Sequence, residues 1–246
     1  MSTLSAAPDL GPSPAEGGPG VGVRVRQGAH LLGEVLITLG VVVLLFVVYL
    51  LAWTNVRADS AAASLSGDLR HHWSSERPHN GGPAATVDPA ALSVTPGQAF
   101  AIMTIPRLGA TWSSPVIQPK GKEIALNELA EGVVHYRQTA LPGQIGNFAV
   151  AGHRATHGQP FANLNLVRKG DKVIVETEDA VYTYVVDNDP NRTIVLPTAV
   201  WVLDPVPGHP QATPTQALIT LTTCNPRWNS SHRMIVFGHL VSTRVK

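Results

Sequence analysis

Cys224 is the single cysteine among 246 residues, and it closes the strand-like run Ala217-Leu-Ile-Thr-Leu-Thr-Thr-Cys224. Side chains along a strand alternate between faces, so Ala217, Ile219, Leu221 and Thr223 share one face and Thr220, Thr222 and Cys224 the other. A structural cysteine belongs with Ile219 and Leu221, yet this one falls on the polar side. Asn225 and Pro226 end the run at once, which leaves the thiol at a rim rather than in mid-sheet. A rim thiol is suited to nucleophilic attack when a neighbour favours the thiolate. An inert buried residue is the competing reading, and for a lone cysteine it is the commoner one.

A cation and a base are both within reach of such a strand end. The connection 225–232 leads into a second β-like run, Arg233-Met-Ile-Val-Phe237. If the two runs are antiparallel neighbours, Arg233 returns close to the level of Cys224. Its guanidinium would then favour the thiolate and donate to a developing oxyanion. Arg227, inside the connection, is the rival and is expected to be a solvated loop charge. His153 ends the run Asn147-Phe-Ala-Val-Ala-Gly-His153, where an imidazole followed by a loop is placed for proton transfer. His157 comes four residues later, but a His-x3-His spacing binds metal only on a helix and with further ligands. No metal and no cofactor is expected. One cysteine also excludes an internal disulfide or a CxxC pair.

The elements that would position these residues are β-strands. Seven segments of alternating or continuous apolar character stand out: 100–105, 148–153, 172–177, 181–187, 193–196, 217–224 and 233–241. Pro142-Gly143, residues 168–171 and Glu178-Asp179 supply turns. Segments 124–130 and 161–167 are short enough for single helical turns. Many short strands with few helices predict a mostly-β fold, a closed or nearly closed barrel, with a sandwich as the alternative.

The amino-terminal third differs in kind. Residues 1–30 open with a Ser/Ala/Pro/Gly-rich stretch and are expected to be a disordered cytoplasmic tail. Residues 35–53 carry no charge and end near Tyr49 and Trp53, as a span of roughly 30 Å of hydrocarbon requires. The transmembrane helix is assigned to 31–54. A cleaved signal peptide would have a shorter apolar run and a small-x-small site, and a buried soluble helix would show polar positions every 3.6 residues or so. Arg24 and Arg26 precede the span, which predicts a single-pass type II protein of the cell membrane with its carboxy-terminal domain extracytoplasmic. Residues 55–96 are expected to be a stalk with a short helix over 61–73, and 97–246 the folded domain. Lys+Arg of 18 against Asp+Glu of 17 leaves no basic surplus, so nucleic acid is not an expected partner.

Four motifs in order, Thr139-Ala-Leu-Pro-Gly-Gln-Ile-Gly-Asn147, Ala149-Val-Ala-Gly-His153-Arg, Thr220-Leu-Thr-Thr-Cys224 and Arg233-Met-Ile-Val, resemble the sortases, cysteine transpeptidases of Gram-positive cell surfaces. The Ala-Gly-His-Arg and Leu-Thr-Thr-Cys-x-Pro wording is most similar to class E. The resemblance covers roughly residues 100–241 and implies an eight-stranded sortase-type β-barrel with short helices. It implies catalysis by Cys224 as nucleophile, His153 as acid/base and Arg233 as the oxyanion or substrate-binding cation. Tyr136, Asn147, Thr222 and Thr223 are the substrate-binding residues it points to. The implied reaction cleaves a Leu-Ala-x-Thr-Gly-like or Leu-Pro-x-Thr-Gly-like signal between Thr and Gly through an acyl-thioester. Implied partners are sorting-signal-bearing surface proteins, a peptidoglycan precursor amine as acceptor, and the membrane. Arg137-Gln138, Gln144, Asn225 and His157 depart from the usual Pro-Gly, Glu, His and Tyr, and none of these replaces the three principal residues. A membrane-anchored cysteine peptidase with the same site and a non-enzymatic surface β module are the alternatives. An L,D-transpeptidase would need a Ser-His-Gly-Cys neighbourhood that the sequence lacks.

Overall fold

The computed structural model describes residues 21–76, 88, 89, 92–121, 124, 126–155 and 158–246. The expected tail falls largely outside these residues, and so does His157. The chain divides into two compact units, Met1–Leu50 and Leu51–Lys246.

Helix α1 runs from Val21 to Glu76 without interruption. Within it, Ala29–Tyr49 is 21 residues long with mean hydropathy 2.8 and wholly unburied, long and apolar enough to cross a membrane. That segment starts earlier than the charge-free run 35–53. The short helix expected over 61–73 is the distal part of α1. In the second unit this distal part rests on the barrel. Ala58, Ser66 and Trp73 are buried, Lys246 Nζ stands 4.3 Å from the centre of the Trp73 ring, and Arg70 Nε lies 3.7 Å from Glu176.

The remainder of that unit is a barrel. Its strands are β1 (Ala99–Thr104), β2 (Ser113–Ile117), β3 (Val133–His135), β4 (Gly146–Ala151), β5 (Lys172–Glu176), β6 (Ala180–Val186), β7 (Ile194–Val195), β8 (Ala217–Asn225) and β9 (His232–Val245). They hydrogen-bond in the order β6-β5-β1-β2-β3-β4-β8-β9, and β6 pairs with β9 to close eight strands into a ring. The two-residue β7 continues along the same β9, opposite Met234 and Arg233. Closure of the eight strands through β6 and β9 disposes of the sandwich alternative. A four-residue helix α2 (Leu126–Leu129) and several 3₁₀ turns fill the connections.

Alternation explains the ring. In β6 every second residue, Ala180, Tyr182, Tyr184 and Val186, is buried. These join Phe148, Phe161, Ile219 and Leu221 in one core. The Leu-Pro-Gly turn is locked to that core, since Gly143 donates its N–H to the Tyr184 hydroxyl at 2.8 Å. Gly143 has φ +81, and a Cβ there would lie 2.2 Å from the Tyr182 ring, so both conformation and space demand glycine.

Candidate active site

Two ladders bring the chemistry together. β4 and β8 are parallel neighbours, with Ala151 level with Thr222. The register carries on past the end of β4, because Gly152 N–H donates to Thr222 O at 3.1 Å and Thr223 Oγ1 donates to Gly152 O at 2.8 Å. His153 therefore emerges beside Cys224. On the other side, β8 and β9 are antiparallel and Cys224 pairs directly with Arg233. Gly152 also lets the Phe161 ring pack close, since a Cβ there would come within 2.6 Å of it.

His153, Cys224 and Arg233 line one cavity of about 710 Å³. Its floor includes Thr222, Thr223, Ala151 and Gly152. Ile124 and Leu129 from the β2–β3 connection form one wall, and Val200, Leu203 and Pro205 from the β7–β8 connection form another. The walls are apolar, and the floor carries two threonines.

The four residues implied for substrate binding separate into two kinds. Tyr136, Thr222 and Thr223 line the cavity, whereas Asn147 does not. The Tyr136 hydroxyl lies 3.0 Å from Thr222 Oγ1, and burial raises the Tyr136 pKa, so the phenol stays neutral. Asn147 is buried. Its amide donates to Val202 O and Asp204 O, both at 3.0 Å, and its oxygen accepts from Thr220 Oγ1 at 2.8 Å. It thus ties the β7–β8 wall to the barrel without touching the cavity.

The arginines also differ from the sequence reading in one respect. Arg233 Nη1 donates to Ser230 O at 2.9 Å and His232 O at 3.0 Å, which braces the guanidinium against its own loop. Arg227 was expected to be solvated, but it is half-buried. It donates to Gln159 Oε1 and stands 5.5 Å from the Trp228 ring centre.

A family model described as the Sortase domain matches residues 103–241, more than half of the chain. The chain belongs to the sortase family. Sortase SrtE1 of Streptomyces coelicolor is 37% identical over 233 residues, covering 92% of this chain; the chain spans 60% of that relative's length. The structure of sortase E from Streptomyces avermitilis is similar with TM-score 0.54 and 44% identity, over 61% of this chain and 93% of that one. Sortase E1 from Streptomyces coelicolor with a tripeptide in the active site gives TM-score 0.52 and 36% identity, over 62% and 94%. These likenesses place this sortase with class E.

Several residues of this sortase's cavity were not singled out from the sequence. Leu129, Val200, Leu203 and Asp204 all reach it from connections, as does Gln138, which the sequence marked only as a departure from the family pattern. One signal was present for the β7–β8 wall, the apolar run Ala199-Val-Trp-Val-Leu203 inside a Pro-rich stretch. Arg154, next to His153, donates to Asn225 Oδ1, the residue after Cys224.

Proposed function

We propose that this sortase is a membrane-anchored cysteine transpeptidase whose barrel faces the outside of the cell. The observation that carries the reading is the register across β4, β8 and β9, which sets His153, Cys224 and Arg233 on one cavity. Nucleophile, proton carrier and oxyanion cation are the three parts that acyl transfer through a thioester needs.

The Cys224 thiolate attacks the Thr carbonyl of a Leu-Ala-x-Thr-Gly-like or Leu-Pro-x-Thr-Gly-like signal. Arg233 donates to the oxygen that becomes negative, and His153 protonates the departing glycine amine. An acceptor amine then attacks the thioester carbonyl carbon: the C–N bond forms, the C–S bond breaks, and His153 takes the amine's proton. The peptide backbone lies along the floor formed by Tyr136, Thr222 and Thr223, between the apolar walls. The acceptor is a cell-wall amine, and the donors are surface proteins bearing the signal.

The apolar segment Ala29–Tyr49 and the preceding arginines support a type II anchor. Domain limits follow: a cytoplasmic tail, the span, a stalk containing the distal part of α1, and a barrel beginning near Gly97. Mass spectrometry of the products of a sorting-signal peptide with added amine tests the reaction. Transfer of the Thr-terminated fragment to the amine is expected, and hydrolysis alone at saturating amine would identify a peptidase instead. Protease added to intact protoplasts should digest the barrel, and full protection would reverse the topology.

A further inference from the structure

Beside the catalytic cavity, Arg154 and Arg227 bridge the same two loops in opposite directions. Arg154, on the loop after β4, donates to Asn225 Oδ1 at the end of β8 and to Asn165 Oδ1 at 3.4 Å. Arg227, on the β8–β9 loop, reaches back to Gln159 Oε1 on the loop after β4. Every one of these acceptors is a neutral amide. Neither guanidinium makes an ion pair among the described residues, and the Nε of each is buried with no hydrogen-bond partner among them. Burial and the like charge of Arg227 both lower the pKa of Arg154, while Cys224 raises it. Burial of this degree does not neutralise an arginine at ordinary pH.

Two like charges held together beside a thiol, with only neutral partners among the described residues, are an excess of positive charge that an anion would correct. Arg233, in the lining of the cavity itself, adds a third cation, and its guanidinium donates to the carbonyls of Ser230 and His232. A bidentate carboxylate matches the guanidinium fork in shape and corrects the excess of charge. The position decides what carries that carboxylate. Arg154 follows His153 directly, and His153 is where an amine leaves and another amine arrives. A group bound by the Arg154–Arg227 pair is therefore carried by the amine partner, not by the acyl half retained on Cys224.

We propose that Arg154 and Arg227 form an acceptor subsite that recognises a carboxylate carried a short distance from the attacking amine. The acceptor class is then an amino acid or short peptide with a free carboxylate, in preference to a simple alkylamine. The proposal rests on the transpeptidase reading given above. In the transfer step the acceptor nitrogen forms the amide bond as the Cys224 C–S bond breaks; its proton passes to His153, and the carboxylate stays ionised on the pair throughout.

The test uses the full chain, a sorting-signal peptide as donor, and acceptors matched in their amine: glycine, diglycine and triglycine, each beside its carboxamide. The acyl-enzyme on Cys224 is first measured by mass, which checks the transpeptidase reading separately. The acceptor kcat/KM for acid over amide is then compared between wild type, Arg227→Gln, Arg227→Lys and Arg154→Gln/Arg227→Gln. Taking the ratio against the variants cancels intrinsic differences between the amines. For at least one acceptor length, wild type should prefer the acid about tenfold, the scale of one charge-assisted hydrogen bond. The double variant should lose this preference, and Arg227→Lys should keep part of it. If Arg154→Gln prevents folding, Arg227→Gln alone should reduce the ratio. An acyl-enzyme that forms normally but shows no acid preference at any length, or the same preference in all variants, overturns the subsite. A preference seen only in acylation, between donor peptides ending in an acid or an amide after glycine, assigns the pair to the departing segment and overturns the acceptor assignment. Absence of any acyl-enzyme overturns the transpeptidase reading, and this proposal with it.

Discussion

Arg233 is the directly opposed partner of Cys224 across the β8–β9 ladder. Opposed residues on one face of an antiparallel pair hold their Cβ atoms about 5 Å apart, so the ladder sets where the Arg233 side chain starts, and the carbonyls of Ser230 and His232 hold its guanidinium. The same ladder runs unbroken from Leu218–His239 to Asn225–His232.

Substituting Arg233→Lys keeps the charge and loses the planar fork. The account expects a fall of roughly 10²–10³ in kcat/KM for peptide cleavage, the scale of removing one oxyanion donor. Purified protein with an unchanged melting profile and a near-normal rate would remove Arg233 from the proposed mechanism.

Asn147 acts at a distance from the cavity by holding Val202 and Asp204. In Asn147→Ala those carbonyls and Thr220 lose their partner, which should cost about 2 kcal/mol in stability. The wall they support should loosen, raising KM for the peptide more than it lowers kcat. Cys224 should still react with a small alkylating reagent at the wild-type rate, because Asn147 does not reach the thiol. Steady-state kinetics and alkylation of the one variant check both statements.

His135 gives the barrel an acid-sensitive term. It is 1% exposed, with Nδ1 2.7 Å from Gln118 Oε1 and Nε2 3.1 Å from Ala140 O. Burial lowers its pKa from 6.5 to about 4 despite the backbone hydrogen bonds that raise it. The stabilising neutral form is fully present above the unfolded pKa. As pH falls from 6.5 toward 4, the unfolded chain binds a proton that the folded chain refuses. Stability should decline by up to about 3 kcal/mol across that window and no further below it. Denaturant melts of wild type and His135→Gln between pH 7 and 4 measure the difference, and parallel curves would contradict this role.

The distal part of α1 is not an inert spacer. Trp73 is 5% exposed against the barrel, under Lys246, which also bonds Glu176 at 2.8 Å and Thr177 O at 2.7 Å. In a 55–246 fragment, Trp73→Ala should lower stability by about 2 kcal/mol, the value of burying one large side chain. A 97–246 fragment should still melt cooperatively, because the core cluster begins at Phe100. An aggregated 97–246 fragment would move the folding boundary into α1.

The sequence was legible wherever a strand alternates for five residues or more. β5, β6, β8 and β9 follow their apolar patterns closely. β2 and β3 were not read. Pro115 breaks the strand signal of β2, and it is tolerated because β3 pairs only with Val116 and Ile117 beyond it. β3 itself is three residues long, too short for any period. The convergence of His153, Cys224 and Arg233 was legible because each stands at a strand end, and strand ends meet when their registers match. The role of Asn147 was not, because its partners lie 55 and 57 residues away along the chain. The Arg154–Arg227 exchange was hidden for the same reason: it links two loops whose proximity only the β4–β8 pairing creates.

In the proposed reaction Cys224 carries the acyl group. Incubating the full chain with a sorting-signal peptide, quenching in acid and weighing the protein tests it directly. The expected result is a mass increase equal to the peptide fragment ending in Thr, located on Cys224, discharged by added amine and absent in Cys224→Ala. Peptide cleavage by folded Cys224→Ala, or an adduct on any other residue, would contradict it.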